Sequence, residues 1–348
     1  MDKKLLLDLT SKELTEELAR LKQPKFRSKQ IIEGLYKHHY QNFSEFGNIP
    51  NSLKTELENN FVLDPVKPIT SLVSSDKKTV KHLFELQNGN KIETVLMKYA
   101  DRNTVCISSQ VGCPLGCVFC STGQMGFTRN LSSGEILGQI LFVMRELEAK
   151  GEKLTNIVYM GMGEPFLNYA NVIHSVNALT DPDLFNFGAR RITISTVGII
   201  PKIKEFTDLD SQVNLAVSLH APEDELRSQL VPANRIHPLT NLIAACREYV
   251  DTTRRRITFE YALIDGINDS ERQAKQLAAL VRGMLCHINL IALNPSKEYP
   301  MPGSPRERVN EFAKVLTDIG IPNSVRLRMG IDINAGCGQL AQTQQSEK

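Results

Sequence analysis

Five short apolar runs, Asn156–Met160, Ile192–Ser195, Val213–Ser218, Ile257–Leu263 and Ile288–Leu293, recur along the second half of the chain with helical periodicity between them. This alternation is the strongest constraint on the fold, because parallel strands are joined through crossovers long enough to hold a helix. Counting "TVCISSQ" (104–110) as the first strand gives six βα units. Six are too few for a closed eight-fold barrel and fit an α/β fold built as an open, curved (βα)6 partial barrel. The first intervening helix is legible in detail. Ser132 and Glu135 have capping-box spacing, and Ile136, Ile140 and Met144 share one face.

Each strand also ends in an unusual sequence. These are a cysteine-bearing loop after residue 110, "GMGEP" (161–165), "STVG" (195–198), "SLHAP" (218–222), "DGIND" (265–269) and "NP" (294–295). Active sites of parallel βα folds gather at the C-terminal ends of the strands, so six such endings predict one cavity.

Two smaller elements precede the barrel. The first sixty residues read as helices: Thr10 and Glu13 form a capping box before Leu14, Leu18 and Leu21, a second helix spans about 28–40, and Pro50-Asn51 opens a third. Lys22, Lys25, Arg27, Lys29 and Lys37, with His38 and His39, concentrate positive charge here. The formal net charge of the chain is only +2, so nucleic-acid binding requires such a local patch; a charge run of this kind is equally well a solvated face. From Thr79 the period changes to two, and Asn88-Gly89 between "KTVKHLFEL" and "KIETVLMKY" signals an antiparallel β-hairpin. The expected organisation is a helical domain over 1–62, a β-hairpin element over 63–98 and the barrel core over 99–345, with "QTQQSEK" as a disordered tail.

Seven cysteines occur in a chain with no signal-peptide core and no apolar run of the roughly 20 residues a membrane span needs. That combination argues for metal or redox chemistry in a cytoplasmic protein rather than a secreted disulfide framework. Cys113, Cys117 and Cys120 fall within eight residues, and the stretch that carries them offers no fourth cysteine. A structural zinc site ordinarily takes four ligands, and an iron–sulfur cluster four cysteines. Cys246 and Cys286 stand alone in helical and strand patterns and read as small buried residues. Three thiolates by themselves leave one metal position open, and an open position is where substrate binds.

The C-x3-C-x2-C spacing, with Phe119 before the last cysteine and "GMGEP" at the end of the next strand, resembles the signature of the radical S-adenosylmethionine enzymes. The resemblance implies a [4Fe-4S] cluster on Cys113, Cys117 and Cys120 whose fourth iron chelates S-adenosylmethionine. The stretches "SSQVGC", "CSTGQMGFTRNL", "MGMGEP", "SLHAP", "INLIALNP" and "GIDINAGCGQL" extend it, over essentially the whole chain, to the RlmN/Cfr class that methylates adenine carbons in RNA. Gly336 stands where that class commonly shows alanine, a departure expected to matter little because both are small.

The class implies a reaction with two S-adenosylmethionines per turnover. One methylates a cysteine, matched by Cys337. The other is cleaved by one electron to a 5′-deoxyadenosyl radical, which takes hydrogen from that methyl group, and the resulting methylene radical adds to an adenine carbon. Glu93, in "IETV", matches the proton acceptor. Cys106 matches the thiol that resolves the enzyme–RNA adduct by forming a disulfide with Cys337. Gly163, Glu164, Ser195, Ser218, Leu219, His220 and Asn294 match cofactor contacts. By residue type alone, His220 reads as a satisfied structural histidine, Cys106 as a core residue and Cys337 as an idle thiol; only the resemblance gives them roles. The implied partners are 23S ribosomal RNA at the peptidyl-transferase centre, tRNA at the adenosine beside the anticodon, and a flavodoxin as electron donor, with the enzyme a monomer.

"CSTGQMGF" favours carbon 2 as the methylated atom, whereas "DPDLFNF" and "RRITISTVGIIPKI" lean toward the carbon-8, antibiotic-resistance branch. A radical enzyme acting on a peptide or small molecule is disfavoured by the basic helical domain and the "GCGQL" element. A non-catalytic iron–sulfur RNA-binding or electron-transfer protein would want four ligands and no cofactor cavity.

Overall fold

In the computed structural model, which describes residues 3–295 and 301–341, one sheet organises the molecule. The tail 342–348 lies outside the described residues. Six parallel strands follow in spatial order: Asn103–Cys106, Asn156–Tyr159, Ile192–Thr196, Asn214–Ser218, Ile257–Leu263 and Cys286–Ala292. A seventh, Asn323–Val325, pairs with the last of these over three residues. It carries a single apolar residue, which is why periodicity does not announce it. The fold is the expected open α/β partial barrel, extended by this edge.

The hairpin strands Thr79–Glu85 and Lys91–Lys98 pair antiparallel around the Asn88-Gly89 turn, and a further strand, Lys67–Val73, adds to them. The element is continuous with the barrel, because Lys91–Lys98 pairs with Asn103–Cys106 in a register that sets Val95 opposite Cys106. Ten strands therefore form one sheet, antiparallel at one end and parallel through the rest.

The helix Ser133–Glu148 holds the parts together. Its N-terminus is closed by the predicted Ser132/Glu135 capping box, and Ile136 and Ile140 are fully buried. Asp8 of the N-terminal domain accepts from Gly134 N–H at 2.6 Å, placing a carboxylate at the positive end of the helix dipole. Further along, Arg145 Nη2 meets Asp64 Oδ2 at 2.6 Å, His39 Nδ1 lies 3.0 Å from Glu148, and His82 Nε2 lies 3.1 Å from Glu146. Gln139 accepts from Thr94 Oγ1 and from the Ser108 N–H, reaching the hairpin and the strand that leads into the cysteine loop.

Three helices, Ser11–Arg20, Phe26–Tyr36 and Asn51–Asn60, make the N-terminal domain around Leu14, Leu18, Ile31, Leu35, Leu53 and Leu57. The basic run divides on the structure. Lys22, Lys25, Lys29, Lys37 and His38 are exposed, but Arg27 donates to Asn48 O and His39 is buried against Glu148. No helix among the described residues is long and apolar enough to cross a membrane.

Candidate active site

The cysteine loop hangs between two short antiparallel strands, Gln110–Gly112 and Phe127–Asn130. Cys113 N–H donates to Gly126 O at 2.8 Å, and Val118 N–H to Leu230 O at 3.1 Å. Cys120 starts the short helix Ser121–Gln124, whose first N–H groups, from Thr122 and Gly123, point at its sulfur. Burial pushes all three thiols up, Cys113 to about 12 and Cys117 well above the ordinary thiol range. Thiols so placed become thiolates when a metal displaces their protons. Cys117 senses the charge of both other cysteines, yet among the described residues no three His, Cys, Asp or Glu side chains converge on a single metal ion. Three neighbouring thiols that do not meet at one point fit the separate irons of a cubane better than one tetrahedral zinc.

Beside the loop lies a cavity of about 160 Å³. Cys117 and Cys120 form one wall; Gly163, Glu164, Ser195, Ser218, His220 and Asn294 enter from the ends of four of the parallel strands. Gly163 has φ 97°, and a Cβ there would lie 2.4 Å from Gln110 Cβ, so the turn admits only glycine. Glu164 accepts from Phe166 N–H at 3.0 Å and from Val197 N–H at 2.9 Å. Burial pushes its carboxyl up to about 7, against the pull of those N–H groups. His220 accepts the Ala262 N–H on Nδ1 at 3.0 Å, which assigns the proton to Nε2, and burial pushes it down to about 3. It is a neutral donor.

A second cavity, of about 100 Å³, shares Cys120, Asn294, Arg326 and Cys337 with the first. Cys106 and Cys337 both line it. Burial pushes Cys106 to about 12, with Cys337 as the next influence. Cys337 is exposed into the cavity, though the surrounding protein raises its thiol too. Its segment is tied down on both sides. Thr122 Oγ1 donates to Leu340 O at 2.7 Å, and Gln339 Nε2 to Pro295 O at 2.8 Å.

Two expected site residues lie elsewhere. The Leu219 side chain is fully buried in the core, and only its backbone is near, accepting from Arg227 Nε at 3.0 Å. Glu93 is wholly buried rather than beside the cavity: Oε1 lies 3.0 Å from Lys81 Nζ and Oε2 accepts from the Ala341 N–H.

Sequence reasoning missed three cations. Arg227, fully buried, bridges two strand ends by donating to Val197 O and to Ser218 O and Leu219 O, and burial lowers it to about 10. Arg326 lines both cavities. Nothing in "DELRSQL" or "SVRLRMG" marks either. Lys81 was legible from the hairpin register, because the pairs Lys81–Val95 and Leu83–Glu93 make Lys81 and Glu93 diagonal neighbours on one face.

Residues 107–278 match the family model described as the radical SAM superfamily, and residues 5–63 match that of the ribosomal RNA large subunit methyltransferase N-terminal domain. A protein of Clostridium tetani (strain Massachusetts / E88) named "Probable dual-specificity RNA methyltransferase RlmN" is 44% identical over 335 residues, covering 96% of this chain and 95% of its own length. A Chloroflexus aurantiacus protein of the same name is 44% identical, covering 98% of this chain and 93% of its own. The crystal structure of a radical SAM methyltransferase from Sphaerobacter thermophilus superposes with a TM-score of 0.96 at 48% identity, covering 98% of this chain and all of that one. With a three-cysteine loop opening on a strand-end cavity and similarity along nearly its full length, the chain belongs to the RlmN family of radical S-adenosylmethionine RNA methyltransferases.

Proposed function

We propose that this enzyme methylates carbon 2 of an adenosine in the peptidyl-transferase centre of 23S ribosomal RNA, and the adenosine beside the anticodon of tRNA, through a methyl-cysteine at Cys337. The relatives' dual-specificity name and the ribosomal description of the N-terminal family model support the substrate. The observation that carries the mechanism is that Cys106 and Cys337 line one cavity, which shares a wall with the cavity beside the cysteine loop.

Cys113, Cys117 and Cys120 would hold the cluster, which would supply the single electron needed to cleave S-adenosylmethionine. Gly163 and Glu164 bind the methionine end of that molecule, and Ser195, Ser218, His220 and Asn294 bind the rest, with Leu219 acting through its backbone. Two molecules are used per turnover, one to load Cys337 and one to start the radical step. Carbon 2 of adenine is not a nucleophile, so the methyl group reaches it as a carbon radical on the Cys337 sulfur. The radical adduct becomes a closed-shell thioether by losing one electron, which would return to the redox group held at the cysteine loop, and one proton, which Glu93 takes once Ala341 lifts away from its carboxylate. The Cys106 thiolate then attacks the Cys337 sulfur, the S–CH2 bond breaks, the departing carbon takes up a proton to become the methyl group of the released RNA, and a disulfide remains.

In this reading residues 1–62 hold RNA through Lys22, Lys25, Lys29 and Lys37, residues 63–98 buttress the cavity, and residues 99–345 do the chemistry. The enzyme works as a cytoplasmic monomer with a flavodoxin as reductant. Mass spectrometry of ribosomal RNA and tRNA from a host with and without this protein tests the substrate. Loss of 2-methyladenosine is expected on deletion, and loss of 8-methyladenosine instead would move the enzyme to the carbon-8 branch.

A further inference from the structure

The hairpin strand Thr79–Glu85 buries a lysine where an apolar residue would serve the sheet as well. Lys81 is 2% exposed and Glu93 not at all, with Nζ and Oε1 3.0 Å apart. Withdrawing two charges from water is costly, and their attraction offsets that cost only where their other hydrogen-bonding groups are also satisfied. Here those bonds leave the hairpin and end on one segment. Lys81 Nζ donates to Asn334 O at 3.2 Å, and Glu93 Oε2 accepts from the Ala341 N–H at 3.0 Å. Cys337 lies between these two anchor points. Thr79, on the same strand face as Lys81, packs on Gly330, shortly before the segment begins.

We propose that Lys81 is a positioning residue of the methylation reaction: with Glu93 it clamps the segment 334–341 on both sides of Cys337 and holds that thiol at the cavity where the methyl group is loaded. The inference rests on the reading of Cys337 as methyl carrier. An apolar pair of similar volume would stabilise the hairpin equally well but could not reach the two backbone groups that fix the segment. The clamp is also reversible by design: lifting Ala341 frees one carboxylate oxygen of Glu93 while Lys81 keeps the other in place.

The test combines two readouts. In metal-free protein, hydrogen exchange over 334–341 and alkylation of Cys337, mapped by peptide mass, report how firmly the segment is held. In protein expressed with its cluster, the mass of the Cys337 peptide reports methyl loading. Lys81→Met is expected to raise both rates about tenfold as local opening becomes easier, and to abolish methyl loading, while the hairpin amides stay protected. Unchanged exchange, alkylation and loading would overturn the proposal. Should Lys81→Met fail to fold, Lys81→Met/Glu93→Leu decides, since it removes the pair without stranding a buried charge. A folded double variant with a loosened segment supports the clamp; wild-type protection in it would reduce the pair to hairpin structure. If wild-type Cys337 carries no methyl group, the carrier reading fails, and the exchange data still decide the clamp.

Discussion

The Ser121 N–H donates to Gly338 O at 2.7 Å. This bond joins the residue after the last loop cysteine to the residue after Cys337, and Thr122 Oγ1 adds a parallel bond to Leu340 O. The three-cysteine loop and the Cys337 segment are therefore one mechanical unit, although they lie at opposite ends of the barrel's sequence.

Removing the metal should loosen both. Anaerobically isolated protein is expected to hold about four irons per chain, and chelation should raise hydrogen exchange over 336–341 as well as over the loop. Cys117→Ala should lose iron. Cys246→Ala, in the buried face of the helix Leu239–Thr253, should keep it and cost about 1 kcal/mol of stability. Iron content that depends on Cys246 and not on Cys117 would misplace the site.

RNA affinity should follow the exposed lysines of the N-terminal domain. Replacing Lys25, Lys29 and Lys37 by glutamine should lower the slope of log K against log salt by about 2–3, given roughly 0.7–0.9 per phosphate contact. Arg27 is left out because it supports Asn48 O, so its loss would confound binding with folding. Cleavage of S-adenosylmethionine without RNA should persist. An unchanged slope would return these lysines to an ordinary solvated face.

The barrel was legible because its strands are apolar runs ended by chemistry-bearing turns, and Ser132/Glu135 marked its first helix directly. The cysteine loop was legible from spacing alone. What escaped were residues whose roles come from long-range contacts. Asn323–Val325 is a strand only because Cys286–Ala292 offers it an edge. Arg227 is a strand-end clamp only because three backbone carbonyls and Asn234 Oδ1 surround it. Glu93 entered only as a match to a proton acceptor, and its burial escaped because the segment that covers it arrives from 248 residues away.

Acid should weaken the contact between hairpin and barrel helix. Hydrogen bonding from His82, with help from Lys150, holds the Glu146 carboxyl down at about 2. A depressed folded-state value means the stabilisation is complete above the unfolded value of about 4.3 and is lost as pH falls toward about 2. Glu146 retains some solvent contact, so about 1–2 kcal/mol is expected rather than the full shift. Melting curves of the wild type and Glu146→Gln should differ most above pH ~4.3 and converge near pH ~2. Parallel pH dependences would show that the carboxylate contributes nothing.

Gly336→Ala tests a departure that looked harmless in sequence. A Cβ on Gly336 would lie 2.3 Å from Asn294 Nδ2 and 2.8 Å from Gln339 Oε1, while Arg328 Nε holds Asn294 Oδ1 at 2.8 Å. The added methyl group must displace the Asn294 amide or the Cys337 segment, at about 1–3 kcal/mol for overpacking. Calorimetric titration with S-adenosylmethionine should show affinity reduced several-fold with the fold retained. Wild-type affinity would mean that Asn294 does not contact the cofactor or that the segment gives way freely.

The last prediction separates two readings of Cys106, whose side chain is nearly buried on a strand yet lines the cavity of Cys337. As the resolving thiol it acts after the methylene bridge to RNA has formed. Cys106→Ala should therefore leave methyl loading of Cys337 intact, accept RNA and then stall. The trapped species is a covalent protein–RNA adduct, seen on a denaturing gel as an upward shift that nuclease removes. Adding Cys337→Ala should abolish the shift, because no sulfur remains to carry the bridge. A sulfur that is merely packed gives a different pattern. Its loss would cost on the order of 1 kcal/mol of stability and leave turnover unchanged, with no adduct. A soluble Cys106→Ala enzyme that keeps methylating RNA would remove Cys106 from the mechanism.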